Sequence, residues 1–155
     1  MIFRTTLSAL PLLLASFAGP TPAAAVEGWA RLSGTLRAGP ESDYPAITRV
    51  ARGDALDVFG CLSGYDWCDV AVGGERGWFP GSRIELASDG RRVRMSRSVA
   101  GGIGLSILSF GMTDYWASHY EGRSFYRDDR YWRRHGMHPP QPGQARPDRP
   151  RSEPN

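Results

Sequence analysis

The run Ala55-Leu56-Asp57-Val58-Phe59-Gly60-Cys61-Leu62-Ser63-Gly64-Tyr65-Asp66-Trp67-Cys68-Asp69-Val70-Ala71-Val72-Gly73-Gly74-Glu75-Arg76-Gly77-Trp78-Phe79-Pro80 decides the fold. Residues 55–59 and 68–72 alternate apolar and polar side chains, the period of a strand with one buried face. Ser63 to Asp66 reads as a turn, and Gly73-Gly74 joins the second strand to Gly77-Trp78-Phe79 as a hairpin. The same grain continues outward. From Gly28 to Leu86 short apolar stretches are split by Gly, Pro, Asp and Ser, the spacing of a small all-β barrel or sandwich. No stretch in this span has helical period.

The whole chain has 155 residues, 41% hydrophobic and 23% charged, which suits one modest domain with appendages and excludes wholesale disorder. Its N-terminus has a targeting layout. Arg4 precedes an apolar run, Leu7 to Ala18, followed by Gly19-Pro20 and then Ala23-Ala24-Ala25, an A-x-A type site. Cleavage is expected after Ala25, delivering a periplasmic or secreted protein. The apolar run is too short to span a bilayer, as is Val99 to Met112, so no transmembrane span is expected in the mature chain.

Charge is divided unevenly. Every basic residue is Arg; residues 26–87 hold 6 Arg and 9 acids, whereas 88–138 hold 9 Arg and 5 acids. A nucleic-acid partner has no electrostatic support in the acidic half, and export argues further against it.

Cys61 and Cys68 close a short loop between two strands, where cross-strand Cβ atoms can meet. In an oxidising compartment a disulfide is expected. The rival readings are a metal pair, which two cysteines without a neighbouring His serve poorly, and a catalytic thiol, which needs an unpaired Cys.

Five blocks carry a family resemblance: Thr35 to Pro40, Asp43 to Ile47, Arg52 to Leu56, Gly64 to Val70, and Gly77-Trp78-Phe79-Pro80. Together they resemble the bacterial SH3-like (SH3b) domain over about residues 27–87. The resemblance implies a five-stranded SH3-type barrel in a secreted or cell-wall-associated protein, and the cysteine pair is similar to that of a subgroup of exported members. Gly77 to Ile84 also resembles the last strand-turn of eukaryotic SH3 domains, whose groove takes polyproline peptides. Arg83 stands where that family has Tyr, and the Tyr-rich motif is missing, which argues against proline-peptide recognition.

The expected division is a signal peptide, 1–25; the barrel, 26–87; a basic and aromatic extension packed on the barrel, 88–132; and a Pro/Arg-rich disordered tail, 133–155. The tail's two P-x-x-P segments, Pro139 to Pro142 and Pro147 to Pro150, read as spacer or as a self-docking peptide. In the extension, Arg91 to Met95 reads as a strand or a basic edge. Val99 to Met112 reads as an extended segment in which Ile103, Leu105 and Ile107 alternate with Gly104 and Ser106. A short helix is expected from Asp114 to Tyr120, capped by Thr113 and ended by Gly122. This extension resembles those on some exported proteobacterial SH3b proteins.

No catalytic constellation forms. Both cysteines are assigned to a disulfide, no G-x-S-x-G occurs in the mature chain, and Asp128-Asp129 alternates with Arg. His119, His135 and His138, with Asp114 or Glu121, make a poor metal set, because His135 and His138 adjoin the tail and cannot be preorganised. The expectation is no catalytic residues, metal or cofactor. Strand parity places Val70, Val72 and Cys68 inward and Trp67 and Asp69 outward. Trp67, with Tyr65 on the turn, Tyr44 on the preceding loop and Pro80, then forms a candidate ligand platform; otherwise Tyr44 and Trp67 cover the barrel's rim. Trp78 reads as core. The aromatic and Arg-rich cluster at 115–134 either packs on the barrel or makes weak contact with an anionic surface. The function expected is an exported, non-catalytic binding module for a cell-wall peptide or an envelope protein. The alternative is an accessory envelope subunit built for assembly.

Overall fold

The computed structural model describes residues 24–139. The expected signal peptide lies outside the described residues except for Ala24 and Ala25, and the expected tail beyond Pro139 lies outside them as well. Eight strands follow in order: β1 Val26–Ala30, β2 Gly34–Arg37, β3 Ala46–Val50, β4 Ala55–Cys61, β5 Trp67–Val72, β6 Glu75–Pro80, β7 Ile84–Ser88 and β8 Arg91–Arg94. They form one antiparallel sheet in the order β3-β2-β6-β5-β4-β1-β7-β8.

The sheet is therefore not the closed five-stranded barrel expected. The reason is local: Asp89 and Gly90, both at positive φ, make a two-residue turn that folds β8 back onto β7. The chain adds a strand there instead of closing, and β3 and β8 remain edges. The curl of an SH3-type fold is still present, because inward residues of seven strands meet in one core: Ala30, Leu36, Val50, Val58, Phe79 and Leu86 are among its members.

Parity along β5 holds where it matters, with Cys68 and Val70 fully buried in that core. β4 needs a correction to reach its partner. Leu56 and Val58 face inward, but so does Cys61, which strict alternation sends outward. A bulge between Val58 and Gly60 leaves Phe59 without a partner on β5 and restores the inward face at Cys61. Cys61 and Cys68 stand opposite each other and form the disulfide. Met95, just after β8, sits with its sulfur 3.7–3.8 Å from both cysteine sulfurs.

The extension differs from the expected continuous extended segment. Arg97–Gly102 is a helix, α1, whose N-cap Ser96 accepts from the Val99 N–H at 3.2 Å. The extended part is shorter, a strap from Leu105 to Phe110. It joins β4 where β1 stops: β1 pairs only as far as Val26 opposite Val58, and beyond it Cys61 N–H donates to Ser106 C=O and Leu108 N–H to Cys61 C=O. The expected alternation fails because backbone, not the side chain of residue 107, meets β4; Leu105 is buried and Ile107 is 53% exposed. A Cβ on Gly60 would lie 2.6 Å from Ser106 O and 2.7 Å from Leu108 Cγ, so the join requires glycine there.

Helix α2 spans Met112–His119, with Gly111 at its N-cap in place of Thr113 and Asp114 in its first turn. A 3₁₀ turn, Ser124–Arg127, and helix α3, Asp129–Arg134, complete a second core. Trp116 is its centre, edge-on to Phe125 at 5.2 Å and Trp132 at 5.3 Å, with its indole N–H donating to Ala38 C=O at 2.8 Å. This packing runs past Trp132: His135 stacks on Tyr44, and Met137 lies against the cluster. Among the described residues no helix is long and apolar enough to cross a membrane.

Candidate functional site

Strands β4, β5 and β6 turn a second face away from the main core. Pleating places Trp67 and Asp69 on that face of β5, and the register sets them opposite Pro80 and Trp78 of β6. Trp67 and Pro80 are half-buried neighbours. Tyr65, also half-buried, sits at φ +60 in the turn before β5, with its N–H donating to Leu62 C=O at 2.8 Å. That turn is clamped from two sides. The Cys61–Cys68 bridge closes its base, and Gly81 N–H donates to Asp66 C=O at 2.8 Å, so close that a Cβ on Gly81 would meet Tyr65 O at 2.0 Å. Trp67 and Pro80 thus stand opposite each other on the hairpin, whereas the Tyr65 side chain, on the clamped turn, packs against the main core.

Tyr44 does not join them as an open ring. It is only 5% exposed, edge-on to Phe110 at 5.5 Å and Trp116 at 6.3 Å, and stacked on His135 at 4.5 Å. Its hydroxyl is 3.3 Å from His135 Nδ1. Burial, with Glu41 and Asp43 nearby, pushes its pKa up to about 12. His135, expected beside a loose tail, is instead part of this packing.

Asp69 corrects the parity argument in another way. It faces outward from the sheet, yet it is 3% exposed because α2 lies over it. Arg76 holds it in a two-pronged pair, Nε to Oδ1 at 2.9 Å and Nη2 to Oδ2 at 2.7 Å, and the Tyr115 hydroxyl donates to Oδ1 at 2.6 Å. The Arg76 guanidinium also lies 3.4 Å from the centre of the Phe59 ring. Burial alone would lower the pKa of Arg76, but the hydrogen bond and charge of Asp69 raise it. Burial and the Asp69 charge push Tyr115 well above the ordinary phenol range. His119, 4.5 Å from the Tyr115 ring, is held below the usual imidazole range by partial burial and the Arg76 charge.

Between this pair and the strap opens a cleft of about 360 Å³, lined by Phe59, Asp69, Arg76 and Trp78 from the sheet and by Leu108, Ser109 and Tyr115 from the extension. Trp78 is buried as expected, but against Phe110 and Tyr115 on the outer face, not in the main core. The sequence reading missed Phe59, Arg76 and Tyr115 here. The only local signal was the outward parity of Asp69, since the other half of the cleft arrives from some forty residues later in the chain.

The arginines of the 115–134 cluster are largely committed to carboxylates. Arg123 pairs with Glu75, Arg130 with Asp128, Arg133 with Asp129, and Arg134 with Asp43. Two of these pairs, to Glu75 at the start of β6 and to Asp43 in the loop before β3, tie the extension to the sheet, which favours packing over contact with an anionic surface. No curated protein matches this sequence. Residues 26–85, the strands from β1 into β7 that enclose the main core, match the family model of the bacterial SH3 domain.

Proposed function

We propose that this chain is an exported, non-catalytic binding module that recognises a cell-envelope ligand, a peptidoglycan peptide or an envelope protein, through Tyr65, Trp67 and Pro80. The observation that carries the reading is half-buried Trp67 opposite half-buried Pro80, next to the disulfide-clamped turn that bears Tyr65, within the part that matches the bacterial SH3 domain. Rigid, partly exposed aromatic side chains lose little entropy when they bury a partner, which suits them to recognition. The targeting layout of residues 1–25 supports export, and the role in the envelope rests on that reading.

The test is retention of the purified protein on isolated cell walls and on a membrane-protein extract. Trp67→Ala should leave the circular dichroism and thermal midpoint close to those of the parent and reduce retention about tenfold, as loss of a central aromatic contact does. Normal retention by a folded Trp67→Ala would overturn the assignment of this surface. A second reading, an accessory subunit built for assembly, is favoured by one observation: Tyr44 and Asp69 are covered by the chain's own extension. Under that reading the protein co-purifies with a fixed stoichiometry of one partner and shows no affinity for isolated cell walls.

A further inference from the structure

We propose that the cleft between the outer face of β4–β6 and the strap is a second binding site, taking a neutral amide carbonyl borne on a small aliphatic group, as in a peptide main chain with short side chains. The site lies beyond the Tyr65–Trp67–Pro80 surface, and three of its lining residues come from outside the stretch that matches the bacterial SH3 domain. Its volume of about 360 Å³ falls within the range of small-ligand pockets, roughly 300–1,000 Å³. Phe59, Trp78, Leu108 and the Tyr115 ring make its walls apolar.

The polar groups decide the ligand, because donors outnumber acceptors. The carboxylate of Asp69 is already taken by two Arg76 N–H groups and the Tyr115 hydroxyl. A guanidinium has five N–H donors, so three of those on Arg76 are left, on a side chain 31% exposed. Trp78 lines the same cleft, and its indole N–H is buried with no hydrogen-bond partner among the described residues. A buried donor left unmatched is costly, and a ligand that supplies an acceptor removes that cost. Charge narrows the choice further. Asp69, 2.7 Å from Arg76, already neutralises it, so an anion gains no net attraction and meets the repulsion of a buried carboxylate. An amide oxygen accepts from the free donors without that penalty. The Ser109 hydroxyl, exposed at the rim, can accept the amide N–H. Arg76 is held in place beforehand by Asp69 and by the Phe59 ring, so little side-chain freedom is lost on binding.

The test is a titration of the full chain, isotope-labelled at tryptophan, with N-acetylalanine methylamide. The readout is the indole N–H resonance of Trp78, assigned with Trp78→Phe. A saturable shift of that resonance at millimolar ligand is expected, with N-acetylalanine, the free carboxylate, binding about fivefold more weakly. Arg76→Gln should weaken binding about tenfold. Because Arg76→Gln also leaves Asp69 buried without its cation, Ser109→Trp supplies the independent check. It fills the cleft from an exposed position, keeps the thermal midpoint and should abolish the shift. No saturable shift at Trp78, a carboxylate that binds as tightly as the amide, or binding that survives Ser109→Trp would each overturn the proposal. Trp67→Ala should leave amide binding intact while reducing retention on cell walls, so failure of one site is distinguishable from failure of the other.

Discussion

At Asp69 a single carboxylate decides whether the extension can lie on the sheet. Buried without partners it would strongly oppose folding; held by Arg76 and Tyr115 it becomes a specific joint. Tyr115→Phe removes one of its three donors without changing the ring, and should cost about 1–3 kcal/mol in urea unfolding. An unchanged unfolding midpoint would mean that water replaces the hydroxyl freely. The same neighbourhood fixes the alkaline behaviour. Tyr44, Tyr115 and Tyr120 all have raised pKa values, first because of burial, and Tyr44 reaches about 12 against an ordinary 10.0. In the unfolded chain these phenols lose their protons near the ordinary value, so the folded state binds more protons above it and stability falls as pH rises. Stability from this source is complete below pH of about 10 and is lost through the range up to the folded values. Tyrosinate absorbance should therefore rise in two stages with pH, the second coinciding with loss of circular dichroism. A single stage completed while the fold persists would contradict the burial of these rings.

Among the elements, the strap and the two helices after it have the most to lose from small changes. Trp132 on α3 is buried against Trp116 and Tyr126, and its indole N–H donates to Tyr126 C=O at 2.7 Å. Trp132→Ala should cost about 3–5 kcal/mol and open residues 112–137 to limited proteolysis while the sheet persists. Digestion no faster than in the parent would show that the second core does not depend on α3. The elements also differ in how far sequence alone could find them. The strands around 55–59 and 68–72 and the hairpin at Gly73-Gly74 were plain from period-2 alternation, and the outward Trp67 followed from parity. The bulge at Phe59 was not, because an extra residue leaves composition unchanged and shows only as a shifted register. Helix α1 was hidden by its Gly101-Gly102 end and by its length, too short for a periodic stripe. Helix α3 did carry a signal, Asp128 as N-cap, Asp129 in the first turn and Arg133-Arg134 in the last, that was read only as alternating charge. The cleft could not be read locally, since Asp69 and Tyr115 meet only after the extension has docked.

For the whole molecule, the disulfide has an effect larger than its seven-residue separation implies. Closing so short a loop stabilises by about 2.5 kcal/mol in the chain-entropy description. It also fixes Tyr65 and supports Met95, so reduction should lower the thermal midpoint by roughly 10 °C and weaken retention on cell walls in parallel. Two thiols that alkylate readily in the native protein would overturn the pairing. The open sheet has one more consequence, for behaviour at high concentration. A sheet that does not close leaves two rows of unpaired backbone groups, each able to recruit a neighbouring molecule and begin a fibril. Here the β8 edge reads Arg91-Arg92-Val93-Arg94, and the β3 edge carries exposed Arg49. Two copies approaching edge to edge bring like charges together, which keeps the solution colloidally stable at low ionic strength. Added salt, by shortening the Debye length to about 3 Å at 1 M, should remove that protection and let the protein self-associate.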